Sequence, residues 1–181
     1  YLLKLILCNQ REAGMNLICL DPEHEYVDLT KNLGGTFIDL MSGKHIINVL
    51  EPKLWASDDE EEEEDVPDTF KQTTLLSQHV SFLKDFFRSY KKLTGEQMDT
   101  LELMLMELYE RFNITNETDI TLLRHEEFPT LKDLYEHMKA RYRHFDETKK
   151  SLYTERTLRE LCLALHSICI GADSKFFNGH P

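Results

Sequence analysis

The chain has few glycines, seven in 181 residues. None falls in a Gly-x-x-Gly-x-Gly-Lys-Ser/Thr pattern, so the residues present offer no backbone cradle for a triphosphate, and the chain by itself is not expected to hydrolyse ATP. Cys-x-x-Cys is also missing. Cys8, Cys19, Cys162 and Cys169 stand singly in apolar settings, which reads as buried reduced thiols of a cytoplasmic protein rather than a disulfide framework. Glu23-His24-Glu25 lacks the His-Glu-x-x-His spacing that puts two imidazoles on one helix face, and no other histidine pairing completes a tetrahedral zinc site, so no metal centre is expected. No serine sits in Gly-x-Ser-x-Gly, which removes the hydrolase elbow. No apolar run approaches the ~20 residues that cross a bilayer, and no signal peptide is visible. Positive charge is scarce as well: 21 Lys+Arg against 33 Asp+Glu give a net charge of −12. Phosphate contact needs Lys and Arg, so direct DNA binding is not expected.

What the chain does have begins with Leu17–Leu20, a short apolar run of the kind that forms a buried strand. Asp21-Pro22 ends it, because proline has no N–H for a ladder. Asp21, Glu23 and Glu25 then bring three carboxylates within five residues, closed by Tyr26. Acids delivered at the C-terminal end of a buried strand have the layout of an α/β ligand site. Upstream, Leu2, Leu5, Ile6 and Cys8 recur at helical spacing, and Gly14 stands where a C′ glycine belongs. A helix entering a strand is the second half of a βαβ unit, which places a first strand and its loop before Tyr1.

Thr36–Leu40 reads as a second strand after the Asn32-Leu33-Gly34-Gly35 turn, and Ile46–Leu50 as a third, short one. Eight consecutive acids, Asp58–Asp65, repel one another and cannot bury apolar area, so a solvated linker is expected. Beyond it the apolar period becomes 3.6. One helix is expected over about 68–92, with Leu76, Val80, Leu83, Phe87 and Tyr90 inward and Phe82 and Phe86 widening the stripe. Thr94 with Gln97 forms a capping box for a second. Thr130 with Asp133 opens a third, and a fourth begins between Glu147 and Glu155 and ends at Gly171. Four such helices make a small bundle, which at ~25 cal/mol per Å² of buried apolar surface can stand alone.

The run Asp21-Pro22-Glu23-His24-Glu25-Tyr26, with Leu33-Gly34-Gly35 and Ile47-Asn48-Val49-Leu50, resembles the ATPases of type IV secretion and conjugative transfer. These belong to the hexameric RecA-like motors that include the HerA/FtsK DNA pumps. Phe128-Pro129-Thr130-Leu131-Lys132-Asp133-Leu134 and Phe177-Asn178-Gly179 extend the resemblance, while Val49 departs from the family's usual proline. The resemblance implies an α/β fragment, mainly α: a partial RecA-like (P-loop NTPase) core of one to three strands over residues 1–57, an acidic linker at 58–67, an inserted four-helix subdomain at 68–171 and a return segment at 172–181. It implies that Asp21 and Glu25, with Glu23 less directly, orient magnesium or the attacking water beside a bound triphosphate, and that Tyr26 contacts the nucleotide. These acids could equally be solvated residues at the start of the next helix.

By the same resemblance, the parent protein binds ATP and magnesium while the fragment holds neither. The parent works as a homo-oligomer, a hexamer in the family, with secretion-channel proteins at the cytoplasmic face of the inner membrane. Two other readings stand beside this one: a DNA-translocating motor of the HerA/FtsK kind, and a non-enzymatic helical adaptor.

Overall fold

The computed structural model describes residues 2–40, 42, 45–52, 75–149 and 151–180. The acidic run Asp58–Asp65 and the expected helix residues 68–74 lie outside them. The chain divides into two compact units, Tyr1–Lys44 and His45–Pro181.

In the first unit, α1 (Leu2–Glu12) ends where the sequence placed its stop. Gly14 takes a φ of +89°, and the N–H of Met15 reaches back to the carbonyl of Gln10 at 3.1 Å. That closes the helix end with a left-handed C′ glycine. The second helix, α2 (Val27–Asn32), ends the same way: Gly34 has φ +71° and Gly35 N–H bonds the carbonyl of Thr30 at 2.8 Å.

The strands expected at Leu17–Leu20, Thr36–Leu40 and Ile46–Leu50 do not form; among the described residues there is no strand. Leu17–Leu20 has no regular structure and is far from buried, with Ile18 98 % and Leu20 93 % exposed. A strand is defined by its ladder, and no described segment lies alongside to exchange backbone hydrogen bonds or cover the apolar side chains. Cys19 is exposed for the same reason, contrary to its reading as a buried thiol. The partial RecA-like core is therefore absent as a sheet among these residues.

The second unit is the helical bundle: α3 (Leu75–Tyr90), α4 (Gly95–Arg111), α5 (Leu131–Arg143), α6 (Glu155–Cys169) and the short α7 (Ser174–Phe177). The start of α4 carries the capping box read from Thr94/Gln97; Thr130 caps α5 as expected, and Asp133 turns that cap into a second box. Thr154 caps α6 through the N–H of Thr157. The stripes meet: Leu83 and Phe87 of α3, Leu101 and Leu105 of α4, Leu134 and Met138 of α5, and Leu161 and Leu165 of α6 are all fully enclosed. α6 packs on both α4 and α5, and α3 packs on α4. Phe82 does not join the buried α3 stripe; its side chain is 43 % exposed, with the ring stacked on His79. Gly171 does follow α6, but not as a left-handed cap: a Cβ there would come within 2.8 Å of Ser167 Cα, so close approach to the last helical turn excludes a side chain.

The segment assigned by sequence to the end of the ATPase core belongs to this bundle. Asn48–Pro52 is buried. Asn48 Nδ2 donates to the carbonyl of Pro129 at 3.0 Å, and Tyr109 Oη donates to that of Leu50 at 2.6 Å. Ile47 N–H bonds the carbonyl of Phe176 at 3.0 Å. Asn178 completes the join, donating to Cys169 O and accepting from Lys132 N–H. The chain thus enters and leaves the bundle at one edge.

Across α4 and α5 lies a buried histidine, His137, only 4 % exposed. Arg111 can only donate, so its Nη1, 3.0 Å away, fixes His137 Nδ1 as an acceptor. Nε2–H then donates to Glu107 Oε2 at 2.9 Å, the oxygen that also accepts from Arg141 Nε. Burial drives the imidazole below its ordinary value; Glu107 opposes this, and Arg111 and Arg141 reinforce it.

The unfolded chain therefore binds a proton that the folded one resists, and stability must fall as pH drops below about 6.5. The carboxylates held below their usual range, such as Asp173 and Glu160, lose their contribution only at lower pH, below about 4.5. Urea unfolding between roughly pH 7 and 5.5 is thus expected to show a falling midpoint that His137→Gln flattens; an equal slope in both proteins contradicts this arrangement.

Candidate functional site

The four site residues expected from sequence, Asp21, Glu23, Glu25 and Tyr26, all lie on the loop between α1 and α2. Asp21 shapes that loop. Its Oδ1 accepts the N–H of Glu25 at 3.1 Å and its Oδ2 accepts that of Tyr26 at 2.8 Å. Partial desolvation works to raise the Asp21 carboxyl. The backbone donors of Tyr26, Glu25 and Glu23, with His24 nearby, outweigh it and hold the group below the usual carboxylate range. Asp21 is ionised at neutral pH and spends one lone pair of each oxygen on the backbone. It does not cap α2: the residue in the cap position is Tyr26, which makes no side-chain capping bond.

Two residues that the sequence reading passed over hold this loop in place. Lys4 Nζ, from α1, donates to the carbonyl of Glu25 at 2.7 Å and stands 5.2 Å from the Tyr26 ring centroid. That cation–π contact occupies a face of the ring. His24 takes the left-handed φ of +59°, which lets its ring meet Phe37 edge-on at 5.5 Å and bring Nε2 to 3.7 Å from Asp39 Oδ1. Lys4 carried a recognisable signal, a cation set among Leu2, Leu3, Leu5 and Ile6 on the first turns of α1. His24 carried none, because a left-handed histidine cannot be read from spacing.

Glu23 and Glu25 are exposed and Tyr26 is half-buried. The loop thus presents two carboxylates outward while a third, Asp21, serves the turn. No group of three metal-ligating side chains occurs among the described residues.

No family model matches the chain, and no curated protein matches it. Among solved structures it is similar to VirB4 of Thermoanaerobacter pseudethanolicus, with a TM-score of 0.77 and 28 % identity over 98 % of this chain. The chain spans 41 % of the length of that structure. The likeness covers both the acidic-loop unit and the bundle.

Because Asp21 is the acceptor for two amides, Asp21→Ala is expected to speed hydrogen exchange at Glu25 and Tyr26 by about fivefold, a lost hydrogen bond being worth ~1 kcal/mol. Exchange at Leu105 and Leu161 should be unmoved. Unchanged protection at both loop amides contradicts the geometry.

Proposed function

We propose that this chain is part of a type IV secretion ATPase of the conjugative-transfer kind, contributing an acidic loop to the nucleotide site and a helical subdomain inserted in the motor domain. The observation that carries the reading is the likeness to VirB4 across 98 % of the chain. The loop geometry supports it: an ionised, backbone-anchored Asp21 with Glu23 and Glu25 exposed beside it. So does the bundle's closure at one edge, since an inserted subdomain must leave its host and return to it at neighbouring points.

Nucleotide hydrolysis needs a cradle of N–H groups and a lysine for the phosphates, magnesium, and a carboxylate that orients water. The residues present supply the carboxylates and not the cradle. ATP therefore does not fit this chain alone, and the phosphate loop belongs to the longer parent. Bound magnesium–ATP would bring the phosphoanhydride and the metal's water to the loop. Within that site Asp21 sets the course of the backbone and places a fixed negative charge, and Glu25 is the carboxylate positioned to accept a proton from water or to face a neighbouring subunit. Glu23 lies on the same exposed side. Lys4 occupies the Tyr26 ring, so Tyr26 positions the loop more directly than it stacks on a base. The parent acts as an oligomer, in the family a hexamer, with secretion-channel proteins, and is held at the membrane through that complex; no described helix is long and apolar enough to cross a bilayer.

One observation favours the non-enzymatic adaptor, the lack of any ladder at Leu17–Leu20 among the described residues. The two readings separate in the parent protein. Glu25→Gln is expected to lower ATP turnover by at least about a hundredfold, the usual scale for a positioned acid or base, and Asp21→Asn, which removes the fixed charge and one of two backbone acceptors, to lower it as well, with nucleotide affinity retained in both. Wild-type turnover in both variants contradicts the motor reading.

A further inference from the structure

The bundle is electrically lopsided. Residues 139–159, the end of α5, the connecting turn and the start of α6, carry seven Lys/Arg against three Asp/Glu, whereas the whole chain carries 21 against 33. Everything else therefore runs at 14 against 30. A basic island of this kind on an acidic protein needs a local reason. The negative end of the α5 dipole accounts for Arg141, Arg143 and His144, cations at a helix C-terminus. It does not account for Lys149, Arg156 and Arg159, which gather around the positive N-terminal end of α6, where a dipole disfavours them.

Some of these charges are already spent: Arg141 on Glu107 and Arg156 on Glu160. Arg143, Lys149 and Arg159 are exposed. Of the three acids, Asp146 is engaged internally, accepting from Thr148 N–H at 3.0 Å and Thr148 Oγ1 at 2.6 Å, while Glu147 and Glu155 are exposed and leave the cations in excess. Those bonds fix the Asp146–Thr148 part of the turn, and Phe145 and Tyr153 lie at its base with ring centroids 6.3 Å apart. Between Lys149 and the Thr154 cap stands Leu152, 88 % exposed.

We propose that this α5–α6 turn is a docking surface for an anionic lipid bilayer, with Leu152 entering the acyl boundary while Arg143, Lys149 and Arg159 meet headgroup phosphates. An apolar tip ringed by cations is the arrangement that lets one surface satisfy both layers of a membrane interface. A nucleic acid has no use for an aliphatic tip, and the two aromatic rings that could stack on bases are turned to each other. An acidic peptide would call for a groove, and this feature is a projecting turn between two helix ends. The contact is direct and peripheral and does not depend on the nucleotide reading: a chain that never meets ATP could still make it.

Co-sedimentation of the full 181-residue chain with vesicles tests the proposal. Binding is expected to phosphatidylcholine vesicles containing phosphatidylglycerol, to fall as salt is raised, and to be weak on phosphatidylcholine alone. Arg143→Glu with Lys149→Glu should cut it at least about tenfold, and Leu152→Ser should weaken it severalfold at unchanged helical circular dichroism. Lys91→Glu with Lys92→Glu, exposed cations at the end of α3, should leave it near wild type. Three results each overturn the proposal: no sedimentation with anionic vesicles, equal loss in both double variants, or retention of duplex DNA but not of vesicles.

Discussion

The pairing of the two necks governs this structure. The hydrogen bond from Ile47 N–H to the carbonyl of Phe176 joins residues 129 positions apart, and the buried polar groups around it leave little freedom on either side. Asn48 holds Pro129 and the N–H of Leu50, Tyr109 holds the carbonyl of Leu50, and Asn178 holds both Cys169 and Lys132. A buried backbone group without a partner is costly, so each of these side chains is committed to closing a segment that leaves regular structure inside a packed interior. Even Gly179 belongs to the join: a Cβ there would crowd Ile46 Cδ1 at 3.1 Å, and its φ of +154° suits glycine.

That closure makes the helical unit self-contained. The segments around Ile47 and Phe176 lie side by side, and the hydrophobic stripes of α3–α6 meet within the unit. Near the carboxyl end of α6, Cys169 is buried deeply enough that its thiol is pushed up to about 12 by desolvation, with Cys162 adding to it. Such a thiol is a packing residue and not a nucleophile. The acidic-loop unit is the reverse case. None of the residues of α1 or α2 is buried, and its order comes from local devices: two glycine-closed helix ends, the Asp21 turn and the Lys4 anchor.

This contrast accounts for what could be read from the sequence. Helices carry their signals locally, in Thr94/Gln97, in Thr130/Asp133 and in stripes such as Leu101, Leu105 and Leu108, and those elements fell where expected. The strand signals of Leu17–Leu20 and Thr36–Leu40 are equally clear as patterns, but a strand is realised only beside another one, which a pattern within one segment cannot supply. The membership of Asn48–Pro52 was illegible for a related reason, because its bonds reach Tyr109, Pro129 and, from Glu51 at 2.8 Å, the His125 ring, all far away in sequence. At the candidate site the three acids and Tyr26 were visible as a cluster. Nothing in their order showed that Asp21 would turn inward onto two amides while Glu23 and Glu25 faced out.

The claim on which the rest leans is that the bundle, with both necks docked, is complete in itself. Expressing residues 45–180 alone and following thermal unfolding by far-ultraviolet circular dichroism tests it most directly. A single cooperative transition, with a midpoint within a few degrees of that of the 181-residue chain, about 1 kcal/mol or less on the scale of a domain this size, is the predicted result. A broad, non-cooperative melt of the excised unit beside a sharp one for the full chain would contradict it.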